Sequence, residues 1–272
     1  MTDCCAKIRQ KKQLNVYIIK SLYFCTVKNI FNILNYDKIS STNDEAKILL
    51  QKIKLPEFTI ISAKEQTIGR GQRENIWFSE SDRNLLISII TYTKRLKAHE
   101  QFYLSKVISL GIIEYLETKK NGFTIKWPND IYFENKKICG ILIENTLSGN
   151  KIKNSVIGIG LNINQKKFPD FLPDAISLSD ITKKNYNLKK ELHILLNYIF
   201  ENYQNLKFEN FDTIDKKYHN CMYKMNKISE FRDINGIFKG KITGTLPEGK
   251  LIIKCSDNKL QYYNFKEVEF LR

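Results

Sequence analysis

Two apolar, β-branched runs, TIISA at residues 59–63 and LLISIITYT at residues 85–93, stand on either side of the nine-residue stretch GRGQRENIW at residues 69–77. Short apolar runs of this kind read as strands, and the second is continuous enough to be buried on both faces. The stretch between them is then a mobile basic loop hung between two strands. Gly69 and Gly71 flank Arg70, and glycine lets a backbone approach a ligand closely. Arginine presents a rigid fork of donors that suits phosphate or carboxylate oxygens. The loop therefore suits closure over an anionic small molecule, although a solvated hairpin turn explains its residues equally well. It is not a dinucleotide-binding fingerprint, because Glu74 follows Arg73 where a third glycine is needed and no helical pattern opens there. Nor is it a phosphate-binding P-loop, since the closing Gly-Lys-Ser/Thr is missing.

Upstream, residues 36–39 predict a short strand. The cluster Ser40-Ser41-Thr42-Asn43 then supplies a helix N-cap, with Asp44 and Glu45 in the first turn where acidic groups complement the helix dipole. Downstream, Leu104, Val107, Leu110, Ile113 and Leu116 recur at helical spacing and predict a helix over 100–116. Strands follow at 123–127, 131–133, 136–145 and 155–162, then helices over 188–208 and 212–218. From about residue 225 the texture changes to short strands (228–232, 236–245, 250–254 and 261–265) with Gly and Pro turns, the pattern of a small β-barrel. The order is an α+β domain followed by an all-β module.

A chain of 272 residues has room for two such domains. Its net charge of +15 raises the question of nucleic acid or anionic membrane. Only seven of the 44 basic residues are arginine, and the lysines are scattered. A contact surface needs clustered charge, so neither nucleic acid nor membrane is the expected partner. Six cysteines without a C-x-x-C pair give no zinc site, and no export signal supports a disulfide framework, which points to a reducing cytoplasm. The three histidines, His99, His193 and His219, lie far apart in polar surroundings that read as surface, so histidine-dependent chemistry is not indicated. Residues 1–13 are basic and 14–34 are fairly apolar, but Lys20 and Lys28 interrupt the run. It falls short of a membrane span of about 20 residues and lacks the core of a signal peptide. Residues 1–35 are left with three readings: a helix packed on the domain, a disordered tail, or an over-extended reading frame.

Two further stretches carry chemistry. In KWPNDIYFENKKICGILIE, residues 126–144, Pro128 fixes a bend that holds Lys126, Asn129 and Asp130. Lys137 precedes Gly140, and a glycine within an apolar strand marks a bulge or the close approach of a ligand. In GIGLNIN, residues 158–164, alternate glycines leave one strand face bare, on which a flat ring can lie with Asn162 beside it. A hairpin turn explains Asn129 and Asp130 equally, a solvated face Lys137, and close packing of two backbones the glycines.

Taken in order, Ser41-Thr42-Asn43, Gln66, the 69–77 loop, KWPND, KKICGILIE and GIGLNIN resemble the biotin protein ligase family over residues 36–272. The resemblance implies a mixed sheet backed by helices (36–224) and a C-terminal SH3-like barrel (225–272). It implies a two-step reaction in which biotin and ATP-Mg2+ give biotinyl-5′-adenylate, whose acyl group passes to a lysine of a biotin carboxyl carrier domain. By the same resemblance, Arg70 and Lys137 are the catalytic cations. Ser41, Thr42, Asn43, Gln66, Gly71, Gln72 and Gly140 join them at biotin, with Ile141 and Leu142 lining its rings. Arg70, Arg73, Trp77, Lys126, Asn129, Asp130 and Asn162 hold the ATP or adenylate, Trp77 by stacking on adenine and Asp130 by orienting Lys137. Protein metal ligands are not indicated, and a homodimer through a sheet edge is left open. The chain departs from the family at Glu74, where glycine is usual, and at Gln72, where some members have arginine. Too few residues precede the catalytic part for the winged-helix DNA-binding domain that some members carry. The nearest alternative is a lipoate-type ligase of the same superfamily. An alternative of another class is a non-catalytic basic module that binds nucleic acid.

Overall fold

The computed structural model describes residues 31–72, 75–93, 96–208 and 210–271. The N-terminal extension to residue 30 and the loop residues Arg73 and Glu74 lie outside the described residues. Residues from Asn32 onward form one compact unit.

Seven strands build its main sheet: β1 (Ile33–Ile39), β2 (Thr59–Gln66), β3 (Leu85–Thr91), β4 (Phe123–Lys126), β5 (Asp130–Phe133), β6 (Lys136–Ser148) and β7 (Lys151–Leu161). Their order is β1-β2-β3-β7-β6-β5-β4. β1 and β2 run parallel because helix α1 (Thr42–Lys52) carries the chain back between them, and every other neighbouring pair is antiparallel. The sheet is therefore mixed, as expected. The apolar run that became β3 is buried along its whole length, in the middle of the sheet.

Strand alternation sorts the residues onto two faces. The register aligns Leu142, Gly158 and Ser88 in one cross-strand row, and Lys126, Asp130, Gly140, Gly160 and Leu86 in the next. Helix α1 packs on this face, with Ala46 buried among Leu55, Ile61, Ile90 and Val156. On the opposite face Ile60, Ile87, Ile89, Ile141 and Ile157 are all buried. Helices α2 (Phe102–Glu117), α3 (Leu178–Thr182), α4 (Leu188–Phe208) and α5 (Phe211–Asn220) complete this part of the chain. α2 is buried nearly all round and lies against α4, α5, β4 and β6.

A second, antiparallel sheet, compatible with a small barrel, follows: β8 (Ile228–Asp233), β9 (Gly236–Thr245), β10 (Leu251–Cys255), β11 (Leu260–Tyr263) and β12 (Glu269–Phe270), in the order β11-β10-β9-β8-β12. An aromatic row crosses it, Tyr263 on Phe238, Phe238 on Phe231 and Phe231 on Phe270, with centroids 5.4–5.9 Å apart. The sequence reading missed α3 and β12, both too short to show a period. It also placed His219 on the surface. The structure half-buries it between α5 and β9, 3.2 Å from the Thr245 hydroxyl.

Candidate active site

The bare strand face becomes the floor of a cavity of about 690 Å³. A Cβ on Gly160 would fall 2.3 Å from the Trp77 ring and one on Gly140 2.9 Å from it, so the two glycines are what let the indole lie flat on the sheet. A Cβ on Gly158 would meet the Asn43 amide in the same way, at 2.4 Å. A flat ring does rest on the glycine face, and it is the chain's own. The loop that carries it is a short ladder: Arg70 bridges Ile76, Gly71 N–H donates to Asn75 (2.7 Å) and Trp77 N–H donates to Gly69 (2.9 Å).

One end of the cavity is polar. Ser41 occupies the N-cap of α1, but its side chain makes no capping bond, contrary to the usual use of a serine there. It is buried and lines the cavity instead. The Thr42 N–H and hydroxyl both donate to Gln66 Oε1 (2.8 and 3.1 Å). Ser88 Oγ lies 2.7 Å from Thr42 Oγ1 and 2.6 Å from Asn43 Oδ1. Asn43 Nδ2 donates to Glu144 Oε2 at 2.8 Å. The Arg70 guanidinium closes this end, Nη1 donating to Asp44 Oδ1 (2.5 Å) and Nη2 to Glu144 Oε1 (3.2 Å). Burial alone would lower the Arg70 pKa, but the Glu144 and Asp44 charges outweigh it and raise it.

The other end is cationic and roofed by the second sheet. Lys137 would face away from Gly140 in a regular strand, since the two are an odd number of residues apart. A β-bulge intervenes: Ile131 pairs with Cys139 and Tyr132 with Lys137, so Ile138 is the extra residue. The bulge re-aims Lys137 onto the glycine face. There its Nζ pairs with Asp130 at 2.8 Å and lies 5.7 Å from the Trp77 ring centre. Lys126 Nζ is 3.2 Å from Tyr132 Oη and 5.6 Å from the Phe270 ring centre. Phe265, Lys266, Val268, Glu269, Phe270 and Leu271 complete the lining.

Of the residues singled out in the sequence, Ser41, Thr42, Asn43, Gln66, Arg70, Gly71, Gln72, Trp77, Lys126, Asn129, Asp130, Lys137 and Gly140 all line this one cavity. Arg73 lies outside the described residues. Asn162 is not among the lining residues; it is buried, its amide donating to the Ile176 carbonyl (3.2 Å). Asn129 spends its amide on the Ile141 carbonyl (2.6 Å), tying the bend to β6. Leu142 and Ile141 both line the cavity, Leu142 from the glycine face and Ile141 from a position whose side chain the alternation turns to the buried face. The sequence reading missed Ser88, Glu144 and the terminal segment 265–271. Ser88 had a signal, a lone hydroxyl between isoleucines in a buried run. Among the described residues no group of three or more His, Cys, Asp or Glu can hold a metal ion, and no helix is long and apolar enough to cross a membrane.

Known proteins resemble this chain in sequence and fold. The biotin/lipoate A/B protein ligase family matches residues 36–162. The bifunctional ligase/repressor BirA of Bacillus subtilis is 28% identical over 237 residues, 86% of this chain and 72% of its own length. The biotin–[acetyl-CoA-carboxylase] ligase of Paracoccus denitrificans is 30% identical over 129 residues, 46% of this chain and 52% of its own. Among solved structures, biotin protein ligase from Aquifex aeolicus in complex with biotin and ATP superimposes with a TM-score of 0.73 at 28% identity, covering 89% of this chain and 99% of that one. The chain is similar to the biotin/lipoate A/B protein ligase family over these residues, and its fold is that of the Aquifex aeolicus enzyme. Among the proteins that match most of its length are a bifunctional ligase/repressor and two biotin protein ligases.

Proposed function

We propose that the chain is an ATP-dependent biotin–protein ligase that forms biotinyl-5′-adenylate and transfers biotin to a lysine of a biotin carboxyl carrier domain. The observation that carries this reading is one cavity with a polar end at β3, a glycine floor on β7 and β6, and cations on β6 and β4, Lys137 and Lys126. Two to four strand spacings separate the ends, about 10–19 Å. That length suits a bicyclic ring at one end and a nucleotide at the other.

The first step joins two anions, the biotin carboxylate and the α-phosphate, and displaces pyrophosphate. Arg70 and Lys137 offset the repulsion and stabilise charge gathering at phosphorus. Loss of either costs on the order of 10²-fold in rate, by analogy with removal of an oxyanion donor. Asp130 keeps Lys137 oriented. Ser41, Thr42, Asn43 and Gln66 contact the ureido ring, and Trp77 leaves its glycine seat to stack on adenine as the 69–77 loop closes. Magnesium enters with ATP, held chiefly by the phosphate oxygens. In the second step the acceptor amine attacks the acyl carbon and AMP leaves. The loop on one side and residues 265–271 on the other keep water from the acyl-adenylate. Residues 36–224 form the catalytic part and 225–272 the C-terminal part. The free thiols Cys139, Cys221 and Cys255 agree with a cytoplasmic site of action.

The test is pyrophosphate release with biotin and ATP-Mg2+, followed by transfer to an isolated carrier domain. Adenylate formation from lipoate and not from biotin overturns the reading in favour of a lipoate ligase.

A further inference from the structure

The contacts of Arg70 draw in three residues outside the cavity lining, Asp44, Lys47 and Glu144. The short ladder with Ile76 holds the Arg70 backbone, but its long side chain still loses much rotamer freedom when fixed. Here the fork is fixed from behind. Asp44, in the first turn of α1, and Glu144, on β6, each take one N–H from a different terminal nitrogen. Guanidinium has five N–H donors, so three stay available for an anion in the cavity. Lys47 Nζ touches the same two carboxylate oxygens, at 3.1 Å from Asp44 Oδ1 and 3.0 Å from Glu144 Oε1. Two carboxylates against two cations leave the cluster neutral. Without Lys47 it would carry a net negative charge next to an anionic substrate. The other Glu144 oxygen accepts from Asn43, whose Oδ1 meets Ser88, so the support of Arg70 continues into the polar end of the cavity.

We propose that Glu144, assisted by Asp44 and with Lys47 as charge balance, is a positioning residue that sets the Arg70 fork for the substrate anion. The inference rests on the reading of Arg70 as the ligand of that anion. Glu144 touches no reacting atom; it acts through Arg70, by holding three donors at one angle before the substrate arrives. Orientation of this kind is worth one to two orders of magnitude when lost.

A double-mutant cycle tests it, with adenylate formation as the readout and the KM for biotin and kcat measured separately. Glu144→Gln keeps the shape and the bond from Asn43 but removes the charge. It is expected to lower kcat/KM for biotin about tenfold when Arg70 is present and less than twofold in the Arg70→Ala background, because contacting residues that act as a unit are not additive. Glu144→Asp is expected to recover part of the loss, and the thermal midpoint of each variant is followed to detect a general loss of structure. Equal losses in both backgrounds, or none when Arg70 is present, overturn the positioning role while leaving the ligase reading intact. If Arg70→Ala alone leaves adenylate formation unchanged, the anion-binding reading of Arg70 fails, and this inference fails with it.

Discussion

Trp77 is held on the sheet by what Gly160 lacks. A methyl group there would sit within 2.3 Å of the ring, far inside contact distance, and the floor beneath it is strand backbone that cannot yield. Gly160→Ala is therefore expected to lift the indole and narrow the cavity floor, lowering adenylate formation by at least tenfold with folding intact, as checked by turnover alongside circular dichroism. Normal turnover would show that ligand and indole do not share this face. At the cavity's polar end, Asp44 and Glu144 make a second prediction. Burial pushes both carboxyls up, but the bonds from Lys47, with Arg70 at Asp44 and Asn43 at Glu144, outweigh it and hold both below the usual carboxylate range. A pKa lower in the folded than in the unfolded state gives stability that is present above the unfolded value, about 4, and is lost as pH falls through the folded one. The thermal midpoint should thus be insensitive to these groups at neutral pH and fall in acid, and the fall should be shallower in Asp44→Asn/Glu144→Gln. The sequence revealed Gly160 as a bare spot on a strand because a missing side chain is visible without coordinates. The partners of Asp44 were invisible, since a first-turn carboxylate already had an adequate local explanation in the helix dipole.

Helix α2 shows where an element-scale reading succeeds and stops. Its period marked the helix correctly, but the same period says nothing of Gly111, which reads locally as a helix weakener. Alanine there would gain about 1 kcal/mol in intrinsic helix propensity. The structure opposes that gain: a Cβ would fall 2.7 Å from Ile199 Cα and 2.9 Å from the Tyr198 carbonyl oxygen, both backbone atoms of α4. Overpacking against backbone that cannot rotate away costs about 1–3 kcal/mol or more, so crowding wins. Gly111→Ala is expected to lower stability by up to about 2 kcal/mol in chemical denaturation. A stabilised variant would mean that the two helices part without cost. The strands divide in the same way. β3 was legible as a buried run. The bulge at Ile138, which decides where Lys137 points, arises from pairing with β5 and leaves no periodic trace in KKICGILIE.

On the scale of the whole molecule, the cavity depends on segments more than 120 residues apart in sequence. Trp127, beside the bend of KWPND, is buried and donates its indole N–H to the Gly249 carbonyl at 2.8 Å. Its ring meets Phe265 edge-on at 6.3 Å, and the chain from Phe265 to Leu271 then roofs the cationic end of the cavity. Local composition gave β8 to β11 their texture, but it carried no sign of where their ends would dock, because that depends on two distant surfaces meeting. Trp127→Phe keeps an aromatic ring and removes the one donor that reaches Gly249. A half-buried carbonyl left without its partner costs about 1 kcal/mol, equivalent to a factor of about five in an equilibrium. The loss falls on the seat of the terminal segment and not on Ser41, Thr42 or Gln66, which belong to α1 and β2 and lie at the other end of the cavity. The KM for ATP should therefore rise about fivefold while the KM for biotin changes less than twofold, measured in the same pyrophosphate-release assay. A parallel rise in both constants would show that loop and terminal segment close as one body over the whole cavity.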